Sequence, residues 1–511
     1  MMRRRCARGL GTVLRGLIFN AAAAAVACGA TTTSASAQCP DGTPPPCAAQ
    51  RRPAPAPNSV AVLYFDNLSR DTSDVFLADG LTEELIIRLS QVRRLEVKSR
   101  FESLRFRGQR VNDPRAIGRE LHASFLVTGS IQQAGQRVRL RVALVRTRDG
   151  TQQWGDVYER AGGDILTLQA DVAREVAGAI TGQLLPEERA SLARRPTRDP
   201  IAYNLYLRGI GAANTISEAG LRAGLEYFDR AIARDSTFAN AYAQKALIWV
   251  SLADGYVEGR VGYAQAREAA DQALRRDSSL ALAYAMLGQA ALALDADAPL
   301  AIRLAEHALG LDARSAWGHI TLSNGLFVSE GADDSAVAEA RRAWEADTLS
   351  AVPAVIYLMM LAWSHPADSL RPVMQRMRGV LSPADERVFD GAARLALGDT
   401  AGAVRQLSWE YYGGLFACEY VRALSALGRR NAALVALDSM RQAAQRAYVN
   451  PYAVARSFAM LGNADSAFAW LDRAWVQRTM FLLWLRTDPE FVPYRADPRW
   501  AAFLRKMGLT P

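Results

Sequence analysis

The chain has 511 residues, of which 50% are hydrophobic and 22% are charged, and its formal net charge is +9. This length exceeds a single ordinary hydrophobic core, and the composition is that of soluble globular protein. The positive charge does not indicate a nucleic-acid partner, because five arginines lie within the first 15 residues. Without residues 1–37, 56 basic residues stand against 52 acidic ones.

The first 37 residues have the layout of a secretory signal peptide. A basic run at Arg3–Arg5 precedes an apolar stretch over residues 16–30, and Ala35-Ser36-Ala37 supplies a small-residue cleavage site. We expect cleavage after Ala37 and export to the periplasm or cell envelope, with no membrane span left after processing. Two alternatives stay open: a lipid anchor at Cys28, which lies in a lipobox-like Ala-Val-Ala-Cys-Gly run, and an uncleaved membrane anchor.

Residues 38–58 form a Pro-rich tether that cannot build a hydrophobic core. Within this tether, Cys39 and Cys47 enclose a short loop. An oxidising compartment favours a disulfide between them over two free thiols or a metal site. Cys418 lies in an apolar run, which predicts a buried structural thiol.

Residues 59–185 predict an α/β domain, with a mixed sheet and flanking helices. Residues 60–65 are a short apolar run typical of a buried strand, and residues 66–67 are predicted as the turn that ends it. In the helix predicted over residues 76–89, Leu81, Leu85 and Leu89 lie four apart and form an apolar stripe. A second unit follows, with a strand at residues 95–97 and a short helix at residues 114–121.

Three alternating runs at residues 125–131, 138–145 and 152–158 are separated by gaps that contain glycine, which predicts two consecutive β-hairpins. The middle run carries Arg137, Arg139 and Arg141 on one face. A solvent-exposed sheet face explains these arginines better than phosphate binding does. Residues 164–184 predict a closing helix, and residues 186–199 predict a charged linker.

Residues 200–511 predict an all-α solenoid of tetratricopeptide repeats. Four segments align without gaps on Asp235, Asp277, Asp312 and Asp347, which step by 42, 35 and 35 residues. A period near 34 with alanine at a fixed helix position is typical of these repeats. The longer first step predicts an insertion around residues 255–262.

The concave surface of such an array is the predicted partner groove. It lacks the basic residues that grip a C-terminal carboxylate, so we expect an apolar or helical segment of a protein partner, with Trp317 as an anchor. Packing of Trp317 inside the array is an equally good explanation. The predicted groove residues are Asn240, Ala243, Leu247, Leu282, Ala285, Gln289, Trp317, Ile320 and Asn324.

Several of these motifs together resemble the TolB amino-terminal-like (FlgO-like) domain followed by tetratricopeptide repeats. In bacteria this pair often follows a cyclase, a protein kinase or a winged-helix domain. Here a leader and tether precede Ser59, so the resemblance implies sensing or scaffolding through protein contacts without those activities. The resemblance rests on residues 59–69, 78–85, 118–121, 129–131, 199–200, 206–209, 227–228, 488–491 and 497–500.

The sequence contains no phosphate-binding loop and no nucleophile elbow, and we expect no catalytic, cofactor or metal site. A rival interpretation is an enzyme with its site near Asp66, Asp79 and Glu83. Another alternative is a membrane-anchored sensor. The main prediction is an exported, non-catalytic protein-binding scaffold of the bacterial cell envelope.

Overall fold

In the computed structural model, the folded body lies within Pro55–Pro511. The predicted leader, most of the tether and the Cys39–Cys47 pair lie outside the described residues. Those residues are 55–70, 74–92, 94–98, 103–108, 113–135, 137–161, 165–193, 196–213, 217–331, 334–347, 351–364, 369–377, 383–407 and 417–509.

The first part of this unit is a mixed six-stranded sheet, as predicted. Strand order is β3-β1-β4-β5-β6, and β2 pairs with β4 beyond the end of β1. The pairings of β1 with β3 and β4 are parallel, and the two hairpins β4-β5 and β5-β6 are antiparallel. The strands are β1 (Ser59–Val62), β2 (Asp66–Asn67), β3 (Glu96–Val97), β4 (Phe125–Ala134), β5 (Arg137–Arg146) and β6 (Thr151–Ala161).

Asp66 and Asn67 differ from the prediction, because they form a strand rather than a turn. Asp66 pairs with Ser130, and the Leu68 N–H donates a hydrogen bond to the Ile131 carbonyl. The chain therefore continues along β4 after β1 has ended, which the local sequence of two turn-forming residues does not reveal.

In the described residues, the helices that flank the sheet are α1 (Asp74–Ser90), α2 (Pro114–Leu121) and α3 (Ile165–Thr181). The α2 helix begins as predicted, because the Asp113 side chain accepts the Arg115 N–H and proline occupies the first helical position. On β5, the exposed residues Arg137, Arg139 and Arg141 alternate with buried ones, and Arg139 forms an ion pair with Glu159 of β6 at 3.2 Å. The arginine-bearing side of the sheet is therefore solvated.

The predicted linker 186–199 contains a helix, α4 (Pro186–Ala193). Proline at its first position and two glutamates in its first turn favour this start. The helix is held to the sheet domain by an Arg94–Glu188 ion pair at 2.6 Å and by a hydrogen bond from Arg88 to the Leu192 carbonyl at 3.2 Å. The segment is therefore part of the folded body.

The rest of the chain is an all-α solenoid of tetratricopeptide-type helix pairs, which confirms the predicted fold class. Ala231, Ala273, Ala308 and Ala343 are fully buried where neighbouring helices pack most closely. The helices are α5 (Pro200–Ala213), α6 (Glu218–Arg234), α7 (Ala239–Leu252), α8 (Gly259–Arg276), α9 (Ala281–Ala290), α10 (Ala298–Leu311), α11 (Ala316–Glu330), α12 (Asp334–Ala346), α13 (Ala351–Ser364), α14 (Leu370–Arg376), α15 (Pro383–Ala396), α16 (Thr400–Gln406), α17 (Ala417–Ala426), α18 (Arg430–Ala443), α19 (Pro451–Met460), α20 (Ala464–Gln477) and α21 (Pro498–Lys506).

The repeated aspartates have a structural role at the turns between helix pairs. Asp235, Asp277 and Asp312 each accept the backbone N–H of the residue two positions later. This turn ends one helix and starts the next. Among the described residues, no helix combines the length and the apolar character needed to cross a bilayer.

Candidate functional site

The sheet domain and the first repeat share one hydrophobic core. This core contains Val60 and Leu140 of the sheet together with Tyr206, Phe228 and Ile248 of α5, α6 and α7. The hydrophobic core is therefore continuous across the predicted domain limit at residue 200. Apolar contact of this kind fixes the orientation of the two parts.

Helices α1 and α5 meet backbone to backbone at this junction. A methyl carbon on Gly80 would lie 2.6 Å from the carbonyl carbon of Leu207 and 2.8 Å from its Cα atom. A methyl carbon on Gly211 would lie 2.5 Å from the Phe76 carbonyl oxygen. Glycine is required at both positions because any side chain would force the helices apart.

An ion pair spans the junction, and a second, buried pair lies beside it within α1. Arg208 of α5 contacts Asp74 of α1 at 2.8 Å. Arg88 and Glu84 form a buried pair at 3.3 Å, and burial raises the pKa of Glu84 despite the nearby guanidinium. Gly80 and Arg208, which belong to the motifs that carry the resemblance, thus take part in joining the sheet domain to the array.

The rival catalytic location lies at the carboxyl end of β1. Asp79 is buried beside Arg107, and burial raises its pKa to about 7, an effect that Arg107 opposes and Glu83 reinforces. Tyr64 donates a hydrogen bond to Glu83 at 2.7 Å. The structure leaves Asp66 exposed on β2, whereas Asp79 and Glu83 are both buried.

These two carboxylates have internal partners, so the arrangement holds α1 against the strand end. Within the described part of the chain, no three His, Cys, Asp or Glu side chains come together as metal ligands. The location named by the rival interpretation therefore brings together Asp79, Glu83, Tyr64 and Arg107, with a titratable carboxyl at Asp79.

The predicted groove residues divide into two groups. Asn240, Leu247, Leu282 and Trp317 are half-buried. Ala243, Ala285, Gln289, Ile320 and Asn324 are buried.

The buried amides link successive repeats. Gln289 donates to the Thr321 hydroxyl at 2.9 Å, and Asn324 donates to the Gln289 carbonyl at 3.4 Å.

The chain's own C-terminal segment lies against the Asn324 amide. Its 3₁₀ turn Met480–Trp484 places the Met480 sulfur 3.9 Å from the Asn324 amide nitrogen. The Trp484 ring packs on Phe327 of α11, with ring centres 5.1 Å apart. Asn324 therefore faces Met480 of the chain itself, and Gln289 is buried against Thr321 and Asn324.

Asp254, in the loop between α7 and α8, holds this segment in place. Its backbone is left-handed, with φ +62°, and its carboxylate accepts the Met480 N–H at 3.0 Å and the Tyr263 hydroxyl at 3.1 Å. Burial raises the pKa of Asp254 to about 6. Sequence reasoning placed an insertion here but did not identify Asp254, whose partners are remote in sequence.

A second buried cluster fixes the C-terminal end of the array. The Arg456 guanidinium contacts Asp488 at 2.8 Å and Glu419 at 3.0 Å, and Tyr452 donates to Asp488 at 2.7 Å. Cys418 is fully buried beside Arg456, which confirms the predicted structural thiol, and burial raises the pKa of Cys418 to about 12. A thiol with such a pKa is a poor nucleophile.

Comparison with known proteins gives one curated relative and several solved structures. No family model matches the chain. Over 206 residues the chain is 32% identical to a Rhizobium meliloti (strain 1021) protein named putative adenylate cyclase 3. The match covers 40% of this chain and 35% of that protein, so the chain spans about a third of this relative's length.

The solved structures are helical-repeat proteins of low sequence identity. YrrB, described as a TPR protein with an unusual peptide-binding site, is 18% identical over 43% of this chain and 97% of its own, with a TM-score of 0.23. Yeast Tom70 is 11% identical over 85% of each chain, with a TM-score of 0.36. The human IFIT1 dimer with m7Gppp-AAAA is 13% identical over 61% and 84%, with a TM-score of 0.33.

Proposed function

We propose that this protein is an exported, non-catalytic scaffold of the bacterial cell envelope that binds protein partners through its repeat groove and its sheet domain. The observation that carries the proposal is the continuous core between sheet and array, because it fixes two surfaces in one orientation. The groove residues that we assign to a partner are the half-buried set Asn240, Leu247, Leu282 and Trp317.

The TolB amino-terminal-like resemblance belongs to this proposal. Its motif residues Gly80, Glu84 and Arg208 lie at the junction, where they serve packing rather than chemistry. The cyclase activity in the relative's name is not carried over, because the match covers 35% of that protein. We therefore propose that these motif residues fix the sheet domain to the repeat array in a sensing or scaffolding unit.

The groove is tested by photo-crosslinking from defined positions. In one variant, benzoylphenylalanine replaces Leu282. In the control variant it replaces Val435, which lies on α18 and is 68% exposed. We expect a discrete partner adduct from position 282 and none from position 435. Adding Trp317→Ala should lower the adduct yield at least about tenfold, as expected for an aromatic anchor.

Equal adducts from positions 282 and 435 would contradict the groove assignment. An unchanged yield with Trp317→Ala would contradict the anchor role of Trp317 alone. Circular dichroism of Trp317→Ala separates lost binding from lost folding.

Export is tested by cell fractionation with N-terminal sequencing. The proposal predicts an envelope protein that begins at Gln38, with Cys39 and Cys47 resistant to alkylation until they are reduced. A lipid-modified start at Cys28 would indicate the anchored alternative. An intact Met1 in the membrane fraction would indicate the membrane-anchored sensor, and a cytoplasmic protein would overturn export.

A further inference from the structure

The two edges of the sheet differ greatly in length. One edge is β3, which has two residues and whose Val97 carbonyl accepts a hydrogen bond from Arg314 of the array at 3.3 Å. The other edge is β6, with eleven residues, packed by β5 along one side and by α3 on one face. A long edge strand presents backbone groups that another strand can pair with.

The outer side of β6 is identified by its local hydrogen bonds. The Val157 N–H donates to the Asp156 carboxylate at 2.7 Å, and the Arg160 guanidinium donates to the Glu159 carbonyl at 3.1 Å. Val157 and Glu159 are two residues apart, so their backbone groups point to the same edge. The Val157 N–H and the Glu159 carbonyl therefore face away from β5 and form hydrogen bonds with neighbouring side chains of β6.

The sequence of β6 is complementary to itself in one antiparallel register. With a twofold axis at Tyr158, Val157 lies opposite the partner's Glu159, and both have outward backbone groups. The Val157 N–H then meets the partner's Glu159 carbonyl, and the reciprocal bonds follow by symmetry. In the same register Asp156 lies opposite the partner's Arg160.

In this register, the Asp156 side chain of one copy would pair with the Arg160 side chain of the other. Asp156 and Arg160 lie on one face of the strand because they are four residues apart. When strand pairing takes over the Val157 N–H and the Glu159 carbonyl, the carboxylate and the guanidinium are released together. Cross-strand pairs of opposite charge stabilise such a register, and like charges destabilise it.

We propose that β6 pairs antiparallel with β6 of a second copy of this chain, about a twofold axis at Tyr158, with Asp156 and Arg160 selecting the register. The pairing joins two sheets into one through a closed, symmetric interface. It is independent of the groove and of the identity of any other partner.

The first test measures the mass of the full chain by analytical ultracentrifugation over a range of concentrations. We expect the mass to rise from 55.7 kDa toward twice that value as concentration increases. Val157→Pro should abolish the rise, because it removes an outward N–H that is not used inside the sheet. Val157→Thr keeps the N–H and should behave like the wild type. Circular dichroism verifies that both variants are folded.

The second test exchanges charges. Asp156→Arg alone and Arg160→Asp alone each set like charges across the axis, and each should weaken self-association at least about tenfold. An equal mixture of the two single variants restores both ion pairs and should recover the dimer mass. The chain that carries both substitutions should also dimerise.

Three results would overturn the proposal. These are a wild-type mass that stays at one chain throughout, a Val157→Pro dimer equal to the wild type, and a mixture that stays as weak as its components. Recovery in the mixture cannot arise from a mere loss of folding.

Discussion

Substitution of Gly80 tests whether the sheet domain and the array form one cooperative body. In Gly80→Ala the new methyl carbon would lie within 2.8 Å of three backbone atoms of Leu207, and backbone cannot yield by changing a rotamer. Overpacking of this kind costs about 1–3 kcal/mol, whereas glycine to alanine in a helix gains up to about 1 kcal/mol. Because the contact is with backbone, we take the upper end of that cost and expect a net loss of about 2 kcal/mol in the free energy of unfolding.

Gly178→Ala is the matched control. Gly178 also lies inside a helix, α3, but a methyl group there meets no atom within 4 Å. Propensity alone then predicts a gain of about 0.5–1 kcal/mol. Urea unfolding followed by circular dichroism measures both free energies, and hydrogen exchange reports whether α1 and α5 lose protection together. Equal stability of the two variants, or lost protection confined to α1, would refute the rigid junction.

Two further predictions concern the C-terminal half. Arg456→Met should lower the free energy of unfolding by about 3–5 kcal/mol, because it leaves Glu419 and Asp488 buried without a cation. Arg499 is exposed, so Arg499→Met should have no measurable effect. Urea unfolding measures both values, and similar losses for the two variants would contradict this account. Burial raises the pKa of Asp254 from 3.8 to about 6, so between these pH values the folded state holds a proton that the unfolded state has lost. The free energy of unfolding should therefore fall by about 3 kcal/mol as pH rises from about 4 to 6. Asp254→Asn should remove this fall when its urea unfolding is compared with wild type at each pH, and an unchanged pH profile would show that Asp254 is not its source.

The sequence predicted the sheet and the repeat class because both depend on local patterns. The α2 helix was placed at its observed limits, Pro114–Leu121, since its capping residue and proline are adjacent to it. The close-contact alanines, such as Ala308, follow from a period that records contacts between neighbouring repeats. Such signals need no knowledge of distant residues.

The candidate sites were harder to predict because their partners are far apart in sequence. Gln289 and Asn324 were assigned to an open groove, but Met480 lies against Asn324 from 156 residues away. Gly80 was part of a recognised motif, yet its packing on Leu207 depends on how two domains meet. A period near 34 residues contains no information on either contact.

The placement of the C-terminal segment has a consequence for synthesis of the chain. Met480 bonds to Asp254 across 226 residues, so α11 and its Phe327 surface emerge from the ribosome long before Trp484 can cover them. At usual elongation rates this interval is on the order of ten seconds. During that time the nascent chain exposes the apolar surface around Phe327, and transiently exposed surface of this kind promotes aggregation.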